Sequence, residues 1–148
     1  MTSERNVAVI TGASRGIGAA LLGAYRDTGY HVVASARSIG KSDDTSTLTV
    51  DGDITSAKTA DRIVGLAIER FGRIDTLINN AGVFIAKPFT KYSEADFATM
   101  VGVNLAGFFH LTQRAARGCY SPARVTSSIL RLRSPRTRRP RWRRRSRP

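Results

Sequence analysis

Thr11-Gly12-Ala13-Ser14-Arg15-Gly16-Ile17-Gly18 decides how this chain is read. It follows the apolar run Val7-Ala8-Val9-Ile10 and opens a segment of helical apolar period that reaches Thr28. Strand, glycine-rich turn and helix together make a phosphate cradle. The glycines let the backbone approach a pyrophosphate, and the helix start offers unpaired N–H groups at the positive end of its dipole. The glycines are spaced G-x-x-x-G-x-G rather than G-x-G-x-x-G.

Outward from this stretch, strand and helix patterns alternate. Val7–Thr11 reads as a short buried strand ended by glycine. Gly16–Thr28 reads as a helix with Ile17, Ala20, Leu21, Ala24 and Tyr25 on its inner face, stopped by Gly29. Tyr30–Ala36 is a second strand, Thr47–Val50 a third, and Ile74–Asn79 a fourth. Ser56–Phe71 is a helix with Ala60, Ile63, Val64, Ala67 and Ile68 inward. Asn80–Lys91 is a loop. Ser93 caps a final helix that begins Glu94-Ala95-Asp96, which suits both capping and the dipole, and runs to Arg117. This alternation predicts an α/β fold, a parallel sheet with helices on both faces. Right-handed crossovers give the half-sheet order 3-2-1-4.

Composition divides the chain. All eleven acids lie in residues 1–118 with thirteen Lys and Arg, a net charge of +2. Residues 119–148 carry eleven arginines with no acid and no lysine, +11, and four of the five prolines. The boundary falls near Gly118, giving a folded domain over 1–118 and a basic tail over 119–148. Cys119 is the only cysteine, so no intrachain disulfide forms and a cytoplasmic location is expected. No apolar run approaches a membrane span, and the first residues lack a secretion-signal layout. No metal site is expected.

Four motifs carry a family resemblance: Thr11–Gly18, Asp53-Ile54-Thr55, Asn79-Asn80-Ala81-Gly82 and Asn104-Leu105-Ala106-Gly107. In this order and at these intervals, residues 5–117 resemble the N-terminal part of a short-chain dehydrogenase/reductase. The resemblance implies a Rossmann-like three-layer parallel sheet, incomplete here. It also implies hydride transfer between a nicotinamide dinucleotide and a carbonyl or secondary alcohol. Gly12, Ser14, Gly16, Ile17 and Gly18 then form the pyrophosphate site. Arg15 and Arg37 are placed like the arginines of NADP-preferring members. The second strand ends in Ala36 rather than an acid, and an acid there would accept from a ribose 2′-hydroxyl. NADP is therefore expected over NAD. Asp53, with Asp51 as a weaker substitute, meets the adenine amino group, flanked by Ile54. Asn80, Ala81 and Gly82 border the cofactor, and Asn104 supports a proton relay through a bound water. The family's assemblies are homo-oligomers; no membrane and no nucleic acid is expected as a partner.

The family's proton-transfer machinery is a serine and a tyrosine placed four residues before a lysine, whose positive charge lowers the tyrosine pKa. The last tyrosine here is Tyr120 and the last lysine is Lys91, so the chain is expected to lack the pair. Ser127 and Ser128 are the candidates for the serine. Residues 131–148 show no strand or helix period. The break near Gly118 reads as a shift of coding frame or decay of the gene. The alternative is a non-enzymatic dinucleotide-binding or regulatory protein with a nucleic-acid-binding arm, in which Trp142 stacks on a base. The missing strands predict an unpaired outer edge on the fourth strand, an exposed Leu105–Leu111 helix face, and a chain prone to aggregate.

Overall fold

Val7 to Ile10 carry only apolar side chains, as a strand covered on both faces requires. They are fully buried in β1 (Val7–Thr11), at the centre of the sheet. The computed structural model describes residues 5–117 and two later strand segments, Arg124–Thr126 and Ile129–Arg131. β2 (His31–Ala36) and β4 (Thr76–Ile78) flank β1 in parallel, and β3 (Thr47–Asp51) lies outside β2. Val9 thus pairs with Val33 on one side and Leu77 on the other. The order 3-2-1-4 is the one the alternating pattern predicts.

The helices are α1 (Gly16–Asp27), α2 (Ala57–Phe71), α3 (Glu94–Val101) and α4 (Phe108–Arg117). Ile63 and Ala67 of α2 and Leu111 and Ala115 of α4 pack with Val7, Val9, Val33 and Leu77 on one sheet face. On the other face, Leu21, Leu22 and Tyr25 of α1 pack against Ile10, Val32, Ala34 and Ile78. At the amino end of the sheet, Asp75 accepts from the Val7 N–H at 2.8 Å. The same carboxylate takes a bidentate pair from Arg73 at 2.8 and 2.6 Å, which locks β1 against the start of β4.

Four expectations need correction. On α1, Ile17, Ala20 and Ala24 are exposed; Leu21 and Tyr25 alone of the predicted face touch the core, and Leu22 joins them. Ile68 of α2 is also exposed, the buried face of α2 being formed by Thr59, Ala60, Ile63 and Ala67. The final helix is not one α-helix: Gly102–Gly107 winds as a π-helical segment between α3 and α4. Finally, the outer edge of β4 is paired. β6 (Ile129–Arg131) runs antiparallel to it, Ile78 facing Ile129, and β5 (Arg124–Thr126) runs antiparallel to β6. An open edge presents a row of N–H and C=O groups, and these two short strands pair against it. The predicted exposure of the Leu105–Leu111 face holds only in part: Leu105, Phe108 and Phe109 are exposed, but Leu111 is fully buried against the sheet. Within the loop, Phe89–Lys91 forms a 3-10 turn. Among the described residues no helix is long and apolar enough to cross a membrane.

Candidate functional site

The chain leaves β1 toward β2 on one side and β4 lies on the other, so the carboxyl end of β1 is where strand order reverses. Open α/β sheets leave a crevice at that point, and a cleft of about 980 Å³ lies there. Gly12, Ser14, Arg15, Gly16 and Ile17 line its floor. Gly16 has φ +57°, and nothing stands within 4 Å of where a Cβ would project. Arg15 takes the N-cap position of α1 in extended backbone without a side-chain capping bond, and no acid occupies the first turn. The first N–H groups of α1 therefore face a roomy cleft with no capping side chain, an arrangement suited to an anionic group.

Gly18 is placed differently from the other predicted residues of the turn. It is buried and does not line the cleft. A Cβ there would overlap the Gly12 carbonyl oxygen and stand 2.6 Å from Asn80 Nδ2. Its hydrogen side chain lets α1 pack directly on the turn, so Gly18 shapes the cradle from behind.

Asn80, Ala81 and Gly82 line the cleft beside the turn. Asn80 Nδ2 donates to the carbonyls of Thr11 at 2.9 Å and Gly12 at 3.2 Å. Thr11 Oγ1 accepts from the N–H groups of Asn80 at 3.1 Å and Ala81 at 2.9 Å. Thr11 is buried and closes this knot, a role the sequence reading missed. No local pattern marks a hydroxyl whose partners lie 69 and 70 positions away. Ser38, Thr99 and Val103 also line the cleft without having been singled out.

Arg37, Asp53 and Ile54 complete the far end. Asp53 Oδ1 accepts from the Thr55 N–H at 2.9 Å. Bonds from the Thr55 N–H and hydroxyl, with the nearby positive charge of Arg37, hold its carboxyl below the usual range. The carboxylate is thus ionised at neutral pH and acts only as an acceptor.

Asn104 lies in the π-helical segment. Its Oδ1 accepts from the Val83 N–H and its Nδ2 donates to the Val83 carbonyl, both at 2.9 Å. Such segments recur at functional sites, where they aim a side chain that a regular helix would misplace. A smaller cavity of about 160 Å³ lies below, lined by Thr11, Ile54, Asn79, Asn104 and Phe108 among others. Asn79 Nδ2 reaches Thr112 Oγ1 of α4 at 3.1 Å and ties the end of β4 to that helix. Beyond Val83 the loop is latched by Tyr92 to the Ile85 carbonyl and by Lys87 to Asp96. Among the described residues no three or more His, Cys, Asp or Glu side chains converge as a metal site would. Ser127, Ser128, Cys119 and Tyr120 lie outside the described residues.

A family model described as short chain dehydrogenase matches residues 6–141. The chain belongs to the short-chain dehydrogenase family. That match crosses Gly118 into the arginine-rich segment. The chain is 33% identical over 124 residues to an uncharacterised oxidoreductase of Methylorubrum extorquens, covering 77% of this chain and 50% of that one. It is 34% identical over 116 residues to the L-fucose dehydrogenase of Mus musculus, covering 74% and 42%. Among solved structures, a short-chain dehydrogenase/reductase of Brucella melitensis superposes with a TM-score of 0.72 at 33% identity, over 80% of this chain and 54% of that one. A 3-ketoacyl-(acyl-carrier-protein) reductase of the same organism, complexed with NADH, gives 0.70 at 29% identity, over 78% and 51%. The chain thus spans about half the length of these relatives. The short-chain dehydrogenases are oxidoreductases that use NAD(P)(H) and act on small molecules.

Proposed function

We propose that residues 1–118 form the NADP(H)-holding half of a short-chain oxidoreductase that moves hydride between the nicotinamide and a carbonyl or secondary alcohol. The observation that carries the cofactor choice is the pairing of Arg15 and Arg37 on one cleft whose β2 wall ends in Ala36. Guanidinium groups match phosphate oxygens in a planar fork, and a small neutral residue leaves room for the 2′-phosphate. The turn at Gly12–Ile17 takes the pyrophosphate on the start of α1, with Gly18 packing that helix behind it. Asp53 accepts from the adenine amino group beside Ile54, and Asn80 to Gly82 border the nicotinamide ribose. Asn104 supports the relay of a proton through a bound water, with its side chain holding Val83 and so the near end of the loop. When bound, the cofactor supplies the hydride; the chain supplies orientation and charge. Titration with NADPH and NADH tests the choice: NADPH is expected to bind tighter, and equal or tighter binding of NADH overturns it.

We further infer that the 148-residue chain binds cofactor without turning it over, since no lysine follows Lys91 to partner a tyrosine. Appreciable NADPH oxidation by this chain with a panel of ketones contradicts that. A frame change near Gly118 is the accompanying reading, tested by translating the downstream DNA in its other two frames. If neither yields an apolar strand, a serine and a lysine-bearing helix, the frame reading fails. A cytoplasmic location belongs to the same proposal; the family's homo-oligomeric state is not carried over to this chain.

A further inference from the structure

Ala36 and Asp51 are Cα partners at the carboxyl ends of β2 and β3. Directly paired residues on neighbouring strands project to the same sheet face. Asp51 is therefore a carboxylate one strand away from the position where an acid on β2 would meet a ribose 2′-hydroxyl. Facing that position, it would accept from a hydroxyl and repel a 2′-phosphate. It does not face it: Gly52 and Asp53 line the cleft, and Asp51 does not.

The cause is Arg62, in the second turn of α2. Its guanidinium pairs with the Asp51 carboxylate at 3.0 Å and also donates to the Asp51 main-chain carbonyl. At the next residue, Gly52 has φ +141°, and a Cβ there would stand 3.2 Å from the Arg62 nitrogen. The guanidinium thus lies against the turn and holds the side chain and the backbone of Asp51 together.

We propose that Arg62 is a positioning residue for cofactor specificity: by drawing the Asp51 carboxylate away from the ribose pocket and neutralising it, Arg62 tilts the pocket toward a 2′-phosphate. This rests on the reading of the cleft as an NADP(H) site. The test titrates the full chain with NADPH and, separately, NADH, using wild type, Arg62→Ala, Arg62→Lys, Asp51→Asn and the double variant Arg62→Ala/Asp51→Asn. Arg62→Ala is expected to lower NADPH affinity about 2–5-fold, the range for an exposed pair, with NADH unchanged or tighter. Asp51→Asn in that background restores the ratio, and Arg62→Lys keeps it. A merely structural role would weaken both cofactors together and would not be rescued by removing Asp51; either result overturns the proposal. A wild-type preference for NADPH that Arg62→Ala leaves intact sinks this inference alone. A wild type without that preference sinks the cofactor reading and this inference with it. Arg62→Gln carries the same test if Arg62→Ala does not fold.

Discussion

Two helix starts in this molecule are built in opposite ways. α3 closes its own: Ser93 accepts from the Asp96 N–H at 3.2 Å, and Asp96 accepts from the Ser93 N–H at 2.9 Å, a reciprocal capping box. Lys87 then seals the Asp96 carboxylate from outside. α1 has no side-chain cap, no acid in its first turn, and a glycine with open space before it. α3 needs nothing further to satisfy its first turn. α1 leaves its first turn to water or an anionic ligand, and its stability comes from behind, through Gly18, Thr11 and Asn80. The difference separates a start built for stability from one built for binding.

The largest way to break this contrast is Gly18→Ala. The added methyl overlaps the Gly12 carbonyl, so the turn must move or α1 must lift. A loss of about 3 kcal/mol or more is expected, with loss of the cooperative melt as the extreme. An unchanged melting temperature would show that the open start does not rest on this contact. Next is Thr11→Val, which removes the acceptor for the Asn80 and Ala81 N–H groups while keeping the shape. The Asn80 N–H keeps the Ile78 carbonyl at 3.1 Å, so the one donor left unsatisfied, that of Ala81, costs about 1–3 kcal/mol in urea unfolding.

The contrast sharpens with a matched pair of truncations. Ser93→Ala is expected to cost about 1 kcal/mol of stability, the usual loss for a cap. Arg15→Ala is expected to stay within about 0.5 kcal/mol, as for an ordinary surface change, while weakening NADPH binding. Equal stability losses at the two positions would erase the distinction.

The smallest effect is in pH. Lys87 and the Ser93 N–H and hydroxyl hold the Asp96 carboxyl down at about 2, below the usual carboxylate range. A depressed acid stabilises the fold above its unfolded pKa and loses that contribution as pH falls through the folded one. The latch between Lys87 and α3 is therefore complete at neutral pH and fades between about pH 4 and pH 2. Amide exchange at Asp96, compared with an Asp96→Asn variant, follows it. No difference between them across that range would remove the latch from the account.

The fold was legible where a strand is covered on both faces, because Val7–Ile10 and Val32–Ala34 admit no alternative to burial. It was less legible at the margins. The α1 pattern predicts an inner face that includes Ile17, yet Ile17 is 73% exposed, because close packing at Gly18 sets how the helix sits. The π-helical segment left no periodic signal: Gly102 and Gly107 bracket it, but glycine pairs occur in regular helices too. Gly107 has a reason visible only in three dimensions, since a Cβ there would lie 2.9 Å from the side chain of Ile54. In the site, ten of the residues singled out from local motifs converge on one cleft together with Arg37, although Gly18 stands behind it. Thr11 and Thr112 escaped because their partners come from distant elements, and Arg62 because its partner Asp51 lies across the turn between β3 and α2.

The π-helical segment makes length, rather than composition, the sensitive variable between residues 102 and 107. A π-turn closes i to i+5 and holds one residue more than an α-turn, so deleting one residue there would let the segment close as α-helix with later residues near their present phase. Leu111 and Ala115 would stay in the core, and Arg114 would stay near Asp61. Inserting one residue has no such slack and would turn every later residue by about 100° about the helix axis. A library of deletions and insertions over these six positions would therefore divide sharply: tolerated single deletions that cost Asn104 its aim at Val83, and few tolerated insertions.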